Sequence, residues 1–232
     1  AASKTDFEGN VVEDMFFRFE MNLEPDDVKA FVRMGCWEAL MQGVGACFDH
    51  YYFADALVEG FKETGMSGII APTLQDLEGP GLTLPGCGHE EAFQATVDIH
   101  NDEDLRTTHG IAAAFGPHAT DTVSGPLWQK IAKASEREGI PIHAHVGQSL
   151  EELERCIGRH GVTPTRFLHD NKVLDAEASL LLVHAMYVTA EDLKLLSPGK
   201  HALGLCPSSA IQFGFPCDYT SWHEAGLKIC LG

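Results

Sequence analysis

Residues Ile140 to Ser149 read IPIHAHVGQS. An apolar run with the character of a buried strand carries His143 and His145 at its carboxyl end, and the helix-like Ser149-Leu150-Glu151-Glu152-Leu153-Glu154 follows at once. A strand that delivers histidines at its carboxyl end, just before a helix, is where a parallel α/β barrel places its chemistry. The neighbouring segments repeat that grammar.

Downstream, Leu180 to His184 (LLLVH) is a predicted strand, Thr189 to Leu196 a helix capped by Thr189, and Ala202 to Cys206 a strand. A short helix from Tyr219 to Ala225 and a strand from Leu227 to Leu231 complete this side, while Pro164 to Asp175 reads as irregular. Upstream, Ser124 to Glu138 is a helix with Ser124 as N-cap and Pro126 in its first turn. Gly110 to Gly116 and Gly68 to Pro72 are strands, His89 to His100 is a helix, and Thr73 to Gly88 is a Gly- and Pro-rich loop of the kind that lines sites. Val44 to Phe48 is a strand followed by an amphipathic helix from Ala54 to Thr64. Glu24 to Met41 is a helix, with Pro25 in its first turn and Val28, Phe31, Val32, Cys36 and Leu40 at helical spacing. Ala1 to Leu23 shows no clear period.

Nearly continuous apolar strands alternating with helices predict a parallel sheet covered on both faces. About seven such strands approach the eight of a closed (β/α) barrel. A doubly wound open sheet is the alternative, but no Gly-x-Gly-x-x-Gly turn follows any strand. The 232 residues contain no evident linker, so one domain spanning 1–232 is expected.

Composition excludes several classes of function. A formal charge of −18 opposes a nucleic-acid partner, which needs clustered Lys and Arg, and the acidity reads as a well-hydrated surface. No apolar run approaches the ~20 residues that span a bilayer, and no secretory signal is visible. Seven scattered cysteines without a Cys-x-x-Cys pair indicate reduced thiols in a cytoplasmic protein rather than a cysteine zinc site.

Asp49-His50, Pro117-His118, His143-Ala144-His145, His184 and Cys206-Pro207-Ser208-Ser209 all fall at or just after the ends of apolar runs. One such histidine is usually a packed or capping side chain, but in a barrel several would converge on one mouth. Imidazoles are the commonest metal ligands near neutral pH.

The run from Pro117 to Glu152, PHATDTVSGPLWQKIAKASEREGIPIHAHVGQSLEE, resembles the segment of amidohydrolase-superfamily deaminases and chlorohydrolases in which a strand carries a metal-binding His in the pattern His-x-x-Glu. LLLVHAMYVTAEDLKLL, from Leu180, resembles the family's next strand and helix, and LCPSSAIQFG, from Leu205, its Cys-Pro-x-Ser-Asn turn. The resemblance runs from about Glu24 to the last residue and is nearest to the group of cytosine, guanine, methylthioadenosine and triazine hydrolases.

This resemblance implies a TIM-like (β/α)8 barrel that binds a divalent metal, Zn or Fe. Its implied reaction is the attack of metal-bound hydroxide on a C–N or C–Cl bond of a small heterocyclic substrate, with deamination foremost. It implies His145 as a metal ligand, His184 as the contact to the attacking water or substrate, and His118 as a residue facing the substrate. His50 lines the mouth or caps its strand. His143 shares the face of His145 one layer deeper, which favours packing over ligation. Related enzymes are often homo-oligomers, so the same is expected here.

Gln148 stands where the family has Glu, and an amide can hydrogen-bond but cannot carry a proton. Ala210 stands where Asn is usual. The family's first-strand His-x-His and its eighth-strand Thr-Asp have no counterpart between Ala1 and Gly232, so the expected barrel lacks its first strand and the end of the eighth. An enzyme reading therefore stands beside a second one, a non-catalytic fragment or interaction protein whose sheet edges a partner completes.

Overall fold

Apolar runs become short strands, and apart from the pair Ile111–Ala113 and Gly116–Pro117 each strand is joined to the next through helix. The computed structural model describes residues 10–196, 200–216 and 219–232. The chain divides into two compact units, one of residues 16–116 and one of residues 1–15 with 117–232.

The amino end, featureless to pattern reading, is helical from residue 12: a π-helical stretch, Val12–Phe17, runs into the single turn α1, Arg18–Glu20. In the first unit α2 spans Pro25–Met41, opened by a reciprocal cap between Glu24 and Asp27. Strand β1, Ala46–Tyr51, leads to α3, Ala54–Thr64, and then to β2, Ser67–Leu74. β2 takes the first two residues of the expected loop, and a 3₁₀ turn at Pro80–Leu82 lies within the rest. Helices α4, His89–Asn101, and α5, Glu103–Thr107, precede β3, Ile111–Ala113, and a two-residue strand β4, Gly116–Pro117. β1, β2 and β3 lie side by side and parallel. Leu57, Phe61, Met66, Ile70 and Ile111 form the centre of their core.

In the second unit α6, Gly125–Glu138, starts at Ser124, whose side chain accepts the Leu127 N–H as the pattern predicts. β5 is Ile142–Val146 and α7 is Leu150–His160. Pro164 to Asp175, expected to be irregular, contains α8, Pro164–Asp170. Thr163 caps it through the Arg166 N–H and Pro164 occupies its first turn, a start signal too close to the end of α7 to stand out. β6, Leu180–His184, is followed by α9, Ala190–Leu193, which stops three residues short of the expected Leu196, and by β7, His201–Leu205. The Cys-Pro-x-Ser segment after β7 opens a further helix, α10, Pro207–Phe213. Helix α11, Tyr219–Glu224, and β8, Lys228–Leu231, complete the order.

β5, β6, β7 and β8 form a parallel sheet in that order. Ile142, Ala144, Leu180, Leu182, Leu203 and Trp222 are buried in this unit. The six described cysteines are free thiols, and Cys217 lies outside the described residues. Among the described residues no helix is long and apolar enough to cross a membrane.

Leu182 lies on β6, between two partner strands, and is 1% exposed. Leu182→Ala is expected to lower the unfolding free energy by about 2–5 kcal/mol, read as a lower urea midpoint.

Candidate functional site

The register of β5 on β6 decides what meets at the carboxyl edge of the second unit's sheet. His145 pairs with Val183, and Val146 with His184, so the two histidine-bearing strand ends finish side by side. Their rings stack, with centroids 5.4 Å apart and planes 24° from parallel. The ring of His118 lies 5.2 Å from that of His145, and the ring of His143 lies 6.4 Å from it. His118, His145 and His184 are thus brought together, with His143 one step deeper. His50 belongs to the other unit, where it is half-buried on β1.

One backbone carbonyl fixes the orientation of His145. The oxygen of His118 accepts the backbone N–H of His145 at 3.0 Å and lies 3.2 Å from its ring Nδ1. A carbonyl only accepts, so Nδ1 carries the proton and Nε2 the lone pair. Histidines that bind metals have this arrangement, the far ring nitrogen donating to a carbonyl or carboxylate while the near one ligates. His118 is held in turn by Thr122, whose Oγ1 lies 2.9 Å from its Nδ1.

Burial keeps these imidazoles uncharged. Loss of water pushes His145 down to about 4, against which its bond to the His118 carbonyl works in the other direction. Burial, followed by repulsion from His145, lowers His143 and His184 to about 3. His118 is lowered by burial first and by the other two rings second. The neutral ring is the form that binds a metal or accepts a proton at pH 7.

The end of β6 is strained. His184 and Ala185 have φ of +74° and +47°, a region that residues with a Cβ seldom occupy, at about 1–3 kcal/mol each. Hydrogen bonds hold them there: Ala185 N–H donates to the Val146 carbonyl at 2.9 Å, and Met186 and Tyr187 N–H both donate to the Gly147 carbonyl at 3.0 Å. Gly147 itself has φ +61°, a conformation that glycine adopts without the strain a Cβ would bring.

Gln148 is half-buried, and its backbone N–H donates to Glu152 Oε2 at 2.8 Å. Glu152, which the sequence pattern did not single out, is 0% exposed. Its Oε1 accepts the Thr120 hydroxyl at 2.6 Å and the Thr120 N–H at 3.4 Å. Burial, then the nearby Asp121, raises its carboxyl to about 7. The spacing Ser149-x-x-Glu152 is the available signal, since it marks a capping box. Here Ser149 caps the Glu152 N–H at 3.1 Å, while the Glu152 side chain turns inward instead of back to Ser149. Among the described residues no group of three or more His, Cys, Asp or Glu side chains is placed to hold a metal ion.

The chain matches the amidohydrolase family model over residues 7–218. A 5′-deoxyadenosine deaminase of Methanothrix thermoacetophila is 25% identical over 222 residues, covering 95% of this chain and 50% of the relative. A 5-methylthioadenosine/S-adenosylhomocysteine deaminase of Pelotomaculum thermopropionicum is 25% identical over 214 residues, 92% of this chain and 47% of the relative. The crystal structure of an adenosine deaminase from Xanthomonas campestris with bound zinc superposes with a TM-score of 0.84 at 20% identity, over 96% of this chain and 49% of that one. A guanine deaminase from C. acetobutylicum with bound guanine gives 0.81 at 16%, over 95% and 54%. The fold class is accordingly that of TIM-like amidohydrolase barrels, and the chain spans about half the length of the curated relatives it matches.

The lowered histidines have a consequence for stability. An unfolded imidazole titrates near ~6.5, so between that pH and about 4 the unfolded chain binds more protons than the folded one, and stability falls on acidification. Glu152, raised from 4.5 to about 7, works oppositely: its contribution falls as pH rises across that interval. Asp49, raised to about 6, and Glu20 and Asp121, also raised by burial, act in the same sense as Glu152. The four histidines, each held well below its unfolded value across the whole interval, outweigh these carboxyls, so urea titrations are expected to show a lower unfolding free energy at about pH 5 than at pH 7. A flat or rising trend on acidification would contradict the neutral cluster.

Proposed function

The chain belongs to the amidohydrolase family, and from that premise we propose that it is part of a metal-dependent hydrolase, foremost a deaminase, attacking a C–N or C–Cl bond of a nitrogen heterocycle. The observation that carries this reading is the His145 ring, its Nδ1 bound to the His118 carbonyl and its face stacked on a second neutral imidazole, His184. His145 would hold a divalent metal through Nε2, zinc in preference to iron because the similar adenosine deaminase was crystallised with zinc. Any further ligands would come from outside this cluster, since among the described residues no group of three His, Cys, Asp or Glu side chains is placed to hold a metal. A divalent metal, when bound, supplies the Lewis acidity that makes water a nucleophile at neutral pH.

The chain's own residues perform the rest. His184, neutral and fixed by its strained turn, contacts the attacking water or the substrate through its ring. His118, held by Thr122, faces the substrate and donates or accepts a hydrogen bond at the heterocycle. Gln148 orients the substrate through its amide but cannot deliver a proton to a ring nitrogen or leaving amine. The protein acts as a cytoplasmic homo-oligomer on a small heterocycle. Its charge of −18 opposes a nucleic-acid partner.

Elemental analysis of the purified chain tests the metal reading, with stoichiometric zinc in the wild type and loss of it in His145→Ala as the expected result. Zinc in neither sample would overturn it and favour a non-catalytic role. In a metal-loaded chain screened on aminated heterocycles, Gln148→Glu is expected to raise deamination toward the ~10²–10⁴-fold that a positioned acid–base group supplies. An unchanged rate would remove Gln148 from the proton path.

A further inference from the structure

Glu152 is an expensive residue to keep where it is. A fully buried carboxyl must recover its lost hydration through hydrogen bonds, and an apolar residue would fill the space at lower cost. What an apolar residue could not do is accept three donors from two separate strand-end segments. Oε2 takes the Gln148 N–H, three residues after His145, and Oε1 takes the Thr120 hydroxyl and N–H, two residues after His118. Each segment carries one histidine of the cluster, and they meet again at the His118 carbonyl.

The helix behind Glu152 reinforces this grip. Arg155 and Arg159 follow at intervals of three and seven residues, on the same face of α7. Arg155 Nη1 lies 3.4 Å from an Asp121 carboxylate oxygen and also contacts Glu13, and Arg159 Nη1 donates to the Asp121 carbonyl at 2.5 Å. The 118–122 segment is thus clamped to α7 at Thr120 and at Asp121, and Glu152 also reaches across to Gln148.

We infer that Glu152 is a positioning residue, whose carboxyl ties the His118 segment to the His145–Gln148 segment and so sets the ring orientation that leaves His145 Nε2 as the lone-pair nitrogen. The inference rests on the reading of His145 and Gln148 as site residues. Glutamine is no substitute for Glu152, because either orientation of its amide points an N–H₂ at a backbone N–H, of Gln148 on one side or Thr120 on the other.

Long-range ¹H–¹⁵N spectra of the whole chain with ¹⁵N-labelled histidine read the ring tautomers directly. His201 is the internal reference, being 2% exposed with its Nε2 3.1 Å from the Leu174 carbonyl. In wild type, His145 is expected as the single Nδ1–H form. In Glu152→Gln that single-tautomer pattern should be lost at His145 or His118 while His201 keeps its own. Unchanged His118 and His145 patterns would overturn the inference, as would a change at all three rings, which would make Glu152 a general stability residue. Should the Gln variant fail to fold, Thr120→Val removes one bond at constant volume and is read by the same criterion at His118. The spectra need neither metal nor substrate, so a wild-type chain that binds no zinc would end the hydrolase reading and leave the tautomer result standing.

Discussion

The carbonyl oxygen of His118 receives both the backbone N–H and the ring N–H of His145, and the chemistry proposed for this chain depends on that double contact. It joins the end of one strand–loop segment to the strand that follows it, and it selects which ring nitrogen keeps a lone pair. With the proton on the other nitrogen, His145 would present a donor to its surroundings and could bind no metal through Nε2.

Two further constraints keep the arrangement usable. Water is scarce around the rings, which lowers all four imidazoles and prevents mutual charge repulsion at neutral pH. The strand that carries His184 ends in two residues with positive φ, and its place is held by carbonyls of Val146 and Gly147. Such strain persists only where the surroundings over-determine it, which is common at sites that must be organised before a substrate arrives. The β5–β6 register then brings the two strand ends level, so a hydrogen-bond ladder formed by apolar strands also sets the spacing of the histidines.

Much of this was legible because strands and helices here obey local rules. Ser124 and Thr189 cap their helices as their positions suggest, and LLLVH is a strand ending in His184. The convergence of His118, His145 and His184 followed from their places after apolar runs. Helix α8 escapes pattern reading because a stop signal, Gly161 at the end of α7, and a start signal, Pro164, stand three residues apart and read together as a loop. Helix α10 was read as a turn because Cys206-Pro207 is both a turn signature and a helix start. Glu152 stayed hidden for a different reason: an acid in the first turn of a helix normally faces water and the helix dipole, and only tertiary structure shows it turned inward onto Thr120 and Gln148.

The central claim is that His145 presents Nε2 as a metal ligand. Anomalous diffraction at the zinc edge from crystals of the zinc-equilibrated chain tests it most directly. The expected result is a peak at about 2.0–2.1 Å from His145 Nε2, with Nδ1 still on the His118 carbonyl. An ordered His145 without that peak, or zinc on Nδ1 with the carbonyl displaced, would contradict it.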